Sequence, residues 1–211
     1  MSQAPEFSPL LDGGAAAQPT WEIARLFPAQ GAWTQGDYLA LDSNHLVEFA
    51  NGHVEVLEMP TPLHQAILLR LYDLLRAFVQ PLGLGSILLA PVPMRLPLGA
   101  AGVFREPDLL FMLAAHDHRR HPQFWEGADL VMEVLSSDRR HDLVTKRAEY
   151  AQAGIPEYWI IDPVEERIQV LALEGDAYRE WDGAGVGGNV RSRLLEGFEV
   201  QVDGVLGGGA L

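Results

Sequence analysis

The chain has 211 residues, a formal net charge of −14 and no cysteine. The acidic balance argues against broad, sequence-independent binding to nucleic acids, which relies on many Lys and Arg contacts to phosphates, but it does not exclude one local basic groove. The absence of cysteine excludes disulfides, thiolate metal sites and cysteine nucleophiles. The hydrophobic fraction of 48% is typical of a globular protein that is long enough to build a core.

The sequence carries no signal for a membrane or for export. No segment approaches the roughly 18 uninterrupted apolar residues that a membrane helix needs, and the N-terminus lacks the basic and apolar regions of a signal peptide. We therefore expect a cytoplasmic protein without a membrane partner. Residues 1–20 mix Pro, Gly, Ala and Ser without periodicity, which predicts a flexible N-terminal arm ahead of one domain over residues 21–206.

Two helices and a hairpin are predicted in the first part of the chain. Each helix begins at a threonine that can cap it, and the second helix has a proline at its first position. The hairpin turns at Asn51-Gly52, which is a strong signal because both residues tolerate positive φ. The predicted elements are a helix over Thr34–Leu41, strands Leu46–Phe49 and His53–Leu57, and a helix from Pro62 to Val79 that Pro81 ends.

The rest of the chain predicts a sheet that one helix interrupts. Pro91 and Pro93 in the first strand predict an edge or irregular strand, and the glycine-rich stretch 183–188 predicts a mobile loop. The order of helix, three strands, helix and strand predicts α/β or α+β layering with a mixed sheet. The predicted elements are strands Ile87–Leu96, Glu106–Leu113 and Asp129–Leu135, a helix over Asp138–Ala153, and strands Glu157–Asp162, Arg167–Leu173 and Ala177–Trp181.

Two carboxylates stand out in the apolar strands. Glu133 lies inside the apolar run 130–135, where a lone carboxylate is expensive to bury unless a cation, a metal or hydrogen bonds compensate it. Asp108 stands at the start of another buried strand, so neighbouring strands would bring both carboxylates to one edge, where they suit Mg²⁺. Alternatively, Asp108 caps a turn and Glu133 pairs with an arginine such as Arg105. The pattern supports a metal site and structural ion pairs equally.

Lys146 is the third candidate. It lies at the margin of the apolar stripe on the predicted helix, near Tyr150 one turn later. It can reach along the same edge of the sheet, or it can be a solvated lysine whose stem covers the core, which is the commoner arrangement.

Other polar side chains carry weaker signals. Six basic residues in segments that flank the proposed site form either a phosphate-facing patch or a set of solvated loop charges. A histidine-rich stretch imitates a metal cluster, but a charged surface loop is favoured because no regular register organises it. The basic residues are Arg119, Arg120, Arg139, Arg140, Lys146 and Arg147, and the stretch contains His116, Asp117, His118 and His121.

Several motifs, taken in order along the chain, resemble one known family. They are Glu48-Phe49-Ala50-Asn51-Gly52, Met59-Pro60-Thr61-Pro62 with His64, Pro107-Asp108-Leu109, Glu133-Val134-Leu135-Ser136, Lys146 with Tyr150, and the run from Gly154 to Asp162. Together they resemble a large bacterial family of putative restriction endonucleases, which is placed in the PD-(D/E)XK nuclease superfamily. The resemblance covers roughly residues 34–175, and the combination of motifs in this order is specific.

The resemblance implies a restriction-endonuclease-like core of helix, three strands, helix and strand, with extra strands. It implies that Asp108 and Glu133 are catalytic carboxylates that bind Mg²⁺, with Mn²⁺ as a substitute. The lysine that the superfamily carries two residues after Glu133 is replaced by Leu135. Lys146 resembles a catalytic lysine that has moved to the following helix.

Two more residues match the family without a fixed role. Glu48 matches the acidic residue of the family's hairpin motif, and it is either an additional metal ligand or an acid on the strand surface. His64 matches the histidine that opens the first long helix, and it has either a catalytic role or that of a first-turn polar residue.

The function that the resemblance implies is Mg²⁺-dependent DNA endonuclease activity, with Lys146 as the group that stabilises charge on the phosphate. The expected partners are DNA and a second copy of the chain, in a homodimer. Two other functions stay open. One is a degenerate nuclease fold that binds DNA or a partner without cutting, which Leu135 and the charge of −14 favour. The other is a protein-interaction module whose sheet supports a dimer surface.

Overall fold

The structure is a computed structural model that describes residues 27–41, 46–100, 102–136 and 141–207. The predicted arm, residues 1–20, lies outside the described residues. The helices are α1 (Gln35–Leu39), α2 (Pro62–Leu82), α3 (Arg147–Gln152) and α4 (Val202–Leu206), with a 3₁₀ segment (Ala114–Arg119) and a π-helical segment (His141–Lys146). The strands are β1 (Val47–Ala50), β2 (His53–Val56), β3 (Gly85–Leu89), β4 (Met94–Leu96), β5 (Val103–Arg105), β6 (Leu109–Leu113), β7 (Trp125–Glu126), β8 (Leu130–Val134), β9 (Glu157–Asp162), β10 (Arg167–Glu174), β11 (Ala177–Gly185), β12 (Asn189–Arg191) and β13 (Glu199–Gln201).

Six strands form a central sheet in the order β11-β10-β9-β8-β6-β3. Strands β3, β6 and β8 make an antiparallel meander. Strand β9 lies parallel to β8, because the π-helical segment and α3 carry the chain back before β9 begins. With α2 ahead of the meander, this arrangement confirms the predicted mixed α/β fold and its order of helix, three strands, helix and strand.

Both faces of the central sheet are covered, which explains why its central strands β6, β8 and β9 are almost wholly buried. One face packs against α2, α4 and the β12–β13 pair through side chains such as Phe111 and Met132. The opposite face packs against a second sheet and α3 through side chains such as Leu110 and Val131. Because side chains alternate along a strand, Glu133 points to the same face as Val131, towards α3.

The second sheet has five strands in the order β2-β1-β5-β4-β7, and the sequence pattern does not predict it. The predicted strand Ile87–Leu96 is wrong as a single strand, since it divides into β3 in the central sheet and β4 in the second sheet. Pro91 and Pro93 lie between the two, and proline has no N–H group to donate to a ladder. The predicted strand Glu106–Leu113 begins only at Leu109, because β5 belongs to the second sheet and the chain crosses between the sheets in residues 106–108.

Helix α2 begins as predicted, with the Thr61 hydroxyl accepting a hydrogen bond from the backbone N–H of His64. It runs past the predicted end to Leu82, so Pro81 lies in its last turn, and Gly83 ends it in the left-handed conformation at a φ of 61°. The second predicted helix, over Asp138–Ala153, is described only from residue 141 onward. That part is π-helical up to residue 146 and α-helical afterwards.

The predicted hairpin is confirmed, with Asn51 and Gly52 at φ values of 51° and 78°. The predicted loop at residues 183–188 is wrong in part, because β11 runs to Gly185, which pairs with Arg167. Glycine pairs through its backbone alone and has no side chain that signals a strand. No helix within the described ranges is long and apolar enough to cross a membrane.

Candidate active site

Asp108 and Glu133 lie side by side where β6 begins and β8 ends. The register pairs Leu109 with Met132, and one further step brings Asp108 opposite Glu133. Backbone groups join the pair: the Val134 N–H donates to Asp108 Oδ2 at 2.8 Å, and the Asp108 N–H donates to Glu133 Oε2 at 3.4 Å. The structure thus brings together Asp108 and Glu133, the two carboxylates that the sequence pattern singled out.

Glu133 is only 3% exposed, and its Oε1 has two donors. Lys146 Nζ lies 3.1 Å from this oxygen, and the Tyr150 hydroxyl donates to it at 2.8 Å. Burial raises the pKa of Glu133; the Lys146 ammonium opposes this rise, and two neighbouring carboxylates add to it. Glu133 is therefore a carboxylate whose charge the protein does not fully compensate.

Lys146 is 5% exposed, so it is not the solvated lysine of the alternative interpretation. Its ammonium lies 3.1 Å from Glu133, 3.4 Å from Glu48 and 3.3 Å from Asp142. Burial alone would lower the pKa of Lys146, but these carboxylates hold it well above its usual range. Lys146 therefore keeps its positive charge at neutral pH, in the centre of the candidate site.

Glu48 is 1% exposed, so its interpretation as an acid on the strand surface is wrong. Its Oε1 accepts a hydrogen bond from the Glu106 N–H at 3.2 Å and lies 3.4 Å from Lys146 Nζ. Its Oε2 accepts from Arg105 Nη1 at 2.9 Å and lies 3.3 Å from His141 Nε2. Burial by itself would raise the pKa of Glu48, but the surrounding cations together lower it to about 2.

Arg105 connects the second sheet to α3. Its guanidinium donates to Glu48, and its Nε and Nη2 donate to the two oxygens of Glu149, each at 2.7 Å. The alternative in which Arg105 pairs with Glu133 is therefore wrong. The cause is the topology, since β5, which carries Arg105, lies in the second sheet next to β1.

Three residues of this network were missed by sequence reasoning. Asp142 lies four residues before Lys146, and this spacing on a helix is a signal that could have found the pair. His141 and Glu149 give no such signal, because their partners are distant in the sequence.

His64 holds Asp108 from the first turn of α2. His64 Nε2 lies 3.0 Å from Asp108 Oδ2, while His64 Nδ1 is buried and has no hydrogen-bond partner in the part of the chain that the structure describes. This geometry favours the tautomer with the proton on Nε2, because a buried N–H without an acceptor would cost more than a bare lone pair. Asp108 Oδ2 then accepts two hydrogen bonds.

The candidate site opens into a cleft of about 610 Å³. Asp108, Glu133, Lys146 and His64 line it, and the largely exposed side chain of Met59 lies on its rim. Both carboxylates and the ammonium therefore border the same cleft.

The donor set fits a small, hard cation that two carboxylates bind. Among residues 27–41, 46–100, 102–136 and 141–207, no three His, Asp or Glu side chains form a group that could hold a metal by themselves. Mg²⁺ does not require such a cage, because it keeps several waters and is usually bound by one or two carboxylates together with substrate phosphates. Asp108 and Glu133 meet this requirement, and Glu133 Oε2 accepts only the long hydrogen bond from the Asp108 N–H among the described contacts. Glu48 differs, because each of its oxygens already has two donors.

Arg119 and Arg120, two of the basic residues that the structure describes, lie away from the candidate site. Arg119 lies 3.5 Å from Asp129, which precedes β8 and is about 13 Å along that strand from the candidate site. Arg120 donates to Ser86 on β3, at the same distant end of the sheet. His116 also contacts Asp129, at 2.8 Å, so His116 and Arg119 share this carboxylate as a partner.

A third described basic residue, Arg147, also lies away from the site. Arg147 donates to the backbone carbonyl of Tyr178 on β11, away from the carboxylates. Arg139 and Arg140 lie outside the described residues. Of the six basic residues, Lys146 is the one that the described part of the chain brings into contact with the site.

Glu106→Gln is expected to flatten the pH dependence of the free energy of unfolding. Burial raises the pKa of Glu106 from 4.5 to about 7. The folded chain thus keeps a proton that the unfolded chain loses, so stability falls as the pH rises between these two values. Between about pH 5 and pH 8, the wild type should lose about 2 kcal/mol more than the variant in urea unfolding.

The control for this prediction is Glu196→Gln, which changes an exposed glutamate and should keep the wild-type slope of stability against pH. Equal slopes for the wild type and Glu106→Gln would contradict the assignment of the proton to Glu106.

Comparisons with known proteins bear on the family and the fold. The sequence profile of the Uma2 family, described as putative restriction endonuclease, matches residues 36–203. No curated protein matches the chain. Among solved structures, a putative nuclease belonging to DUF820 from Anabaena variabilis is similar in fold, with a TM-score of 0.66 and 18% sequence identity over 82% of this chain and 97% of that chain. Because the family match spans most of the sequence, the chain belongs to the Uma2 family of putative restriction endonucleases.

Proposed function

We propose that this chain is a Mg²⁺-dependent endonuclease that hydrolyses phosphodiester bonds in DNA. The observation that carries the proposal is the placement of Asp108, Glu133 and the Lys146 ammonium together in one open cleft, with Lys146 Nζ 3.1 Å from Glu133. Hydrolysis of a phosphodiester builds negative charge on the phosphoryl and leaving oxygens. The Lys146 ammonium and a Mg²⁺ ion held by the two carboxylates would supply the positive charge that stabilises it. The family and the similar fold support nuclease activity in general.

Each side chain has a role in this proposal. When bound by Asp108 and Glu133, a Mg²⁺ ion would lower the pKa of a bound water and neutralise charge on the phosphate. His64 fixes the orientation of Asp108 through Oδ2, and Tyr150 fixes that of Glu133 through Oε1. Lys146 adds a second positive charge, in place of a lysine at position 135.

The test is cleavage of supercoiled plasmid and of single-stranded DNA by the purified chain. We expect cleavage in millimolar Mg²⁺ or Mn²⁺, none in EDTA, and none by Asp108→Asn under any of these conditions. A matched control, Asp176→Asn, makes the same chemical change at an exposed residue and should cleave at the wild-type rate.

The cleavage assay, together with a DNA-binding assay in EDTA, separates the other functions. Folded wild type that does not cleave with either metal would overturn the proposal. Binding of DNA in EDTA, without cleavage in metal, would then identify a degenerate nuclease fold. Neither binding nor cleavage would favour a protein-interaction module.

A further inference from the structure

We propose that Glu48 is a positioning residue and not a metal ligand: it holds the Lys146 ammonium beside Glu133. This inference rests on the proposed endonuclease function and assigns a role within that site. It starts from the second sheet, where β1 carries Glu48 and pairs with β5 through Phe49 and Phe104.

The hydrogen bonds of Glu48 leave its carboxylate no place for a cation. Oε1 has the Glu106 N–H and Lys146 Nζ as donors, and Oε2 has Arg105 Nη1 and His141 Nε2. A metal ligand must instead direct a lone pair at the cation and replace one of its waters.

The cleft itself separates Glu48 from the proposed metal ligands. Asp108, Glu133 and Lys146 line the cleft, whereas Glu48 does not and instead lies 3.4 Å from the Lys146 ammonium. A cation that enters from the cleft therefore meets Asp108 and Glu133 first, and it would have to displace the Lys146 ammonium to reach Glu48.

Arg105 makes this arrangement rigid. One register step from Phe104 places Arg105 opposite Glu48, and its guanidinium also holds both oxygens of Glu149 on α3. Planar guanidinium groups that bind carboxylates with two parallel hydrogen bonds fix geometry as well as charge. The second sheet thus fixes the helical region that carries Lys146.

Loss of the Glu48 charge would change the position of Lys146 rather than the metal site. The ammonium would retain Glu133 and Asp142 as partners, at 3.1 Å and 3.3 Å. It would then be drawn towards Glu133, where it competes with the cation and lies away from the phosphate. The expected consequence is slower chemistry with unchanged binding of metal and DNA.

The experiment compares Glu48→Gln with the wild type in three measurements. Calorimetric titration with Mn²⁺ should give dissociation constants within about twofold of each other, and DNA affinity should change equally little. At saturating metal and DNA, the single-turnover cleavage rate of Glu48→Gln should fall about 10-fold to 100-fold.

A double variant distinguishes positioning from a general structural role. If Glu48 acts through Lys146, Glu48→Gln combined with Lys146→Ala should be no slower than Lys146→Ala alone. The matched control is Glu157→Gln, which changes an equally buried carboxylate that four donors hold far from the cleft. Its rate per folded molecule should equal that of the wild type, and combining it with Lys146→Ala should leave the rate of Lys146→Ala unchanged.

Weaker Mn²⁺ binding by Glu48→Gln, by about tenfold or more, would overturn this inference and leave the proposed function standing. Wild type that neither binds Mn²⁺ nor cleaves would overturn both. If Glu48→Gln does not fold, Glu48→Asp keeps the charge on a shorter side chain. Unchanged Mn²⁺ affinity with slower cleavage then supports positioning, and weakened affinity contradicts it.

Discussion

Glu133→Gln is expected to abolish DNA cleavage, with a fall in the single-turnover rate of at least about a thousandfold, because it removes one of the two carboxylates proposed to hold the metal. The stability of the metal-free protein should be unchanged or slightly raised. Burial raises the pKa of Glu133, so replacing it by a neutral isostere removes a charge that is costly to bury. The Tyr150 hydroxyl can still donate to the amide oxygen, and Lys146 keeps its other carboxylates.

The measurement pairs a quenched-flow cleavage assay with urea unfolding in EDTA. If Glu133 served only as half of a structural ion pair, its replacement would leave the buried cation without that partner. The free energy of unfolding would then fall by several kcal/mol. A loss of that size in EDTA, with cleavage retained in Mg²⁺, would count against the metal site.

Lys146→Ala is expected to lower the single-turnover cleavage rate by about a hundredfold or more, the scale of losing one electrostatic contact to the transition state, with little change in DNA affinity. It should also destabilise the fold by about 3 kcal/mol, because it leaves several buried carboxylates without their shared cation. The rate is therefore compared per folded molecule, at a temperature well below the unfolding transition. Lys146→Arg should restore the rate only in part, since a planar guanidinium does not place a point charge at the same position.

The matched control is Arg147→Ala, which removes the adjacent cation. Arg147 donates to a carbonyl on β11 and does not contact the site, so its loss should leave the cleavage rate unchanged. If Lys146→Ala cleaves at the wild-type rate while Arg140→Ala does not, the catalytic charge comes from the segment after Glu133 and the assignment of Lys146 is wrong.

The carboxylate pair could be found in the sequence because it breaks a strong local pattern. Glu133 interrupts an apolar strand, and Asp108 precedes another, so both are conspicuous before any fold is known. The order of helices and strands was predictable for the same reason, since long apolar runs have a clear periodicity. Once β6 and β8 are neighbours, their register brings the two residues together.

The surroundings of Lys146 could not be found in this way. Its burial depends on Glu48, which is far away in the sequence and lies in a second sheet whose strands β4 and β5 have three residues each. Strands this short carry almost no periodicity, and nothing local in the sequence brings Arg105 to Glu149. The π-helical turn before α3 likewise cannot be distinguished from an α-helix by apolar spacing alone.

A diffraction measurement at the manganese absorption edge, on crystals of the wild type soaked in Mn²⁺, tests the central claim most directly. We expect one anomalous peak between the carboxylates of Asp108 and Glu133, with Glu48 still bound to Arg105 and Lys146 and contributing no ligand. The absence of a peak there at saturating Mn²⁺, with Lys146 Nζ still 3.1 Å from Glu133 Oε1, would contradict the proposed metal site.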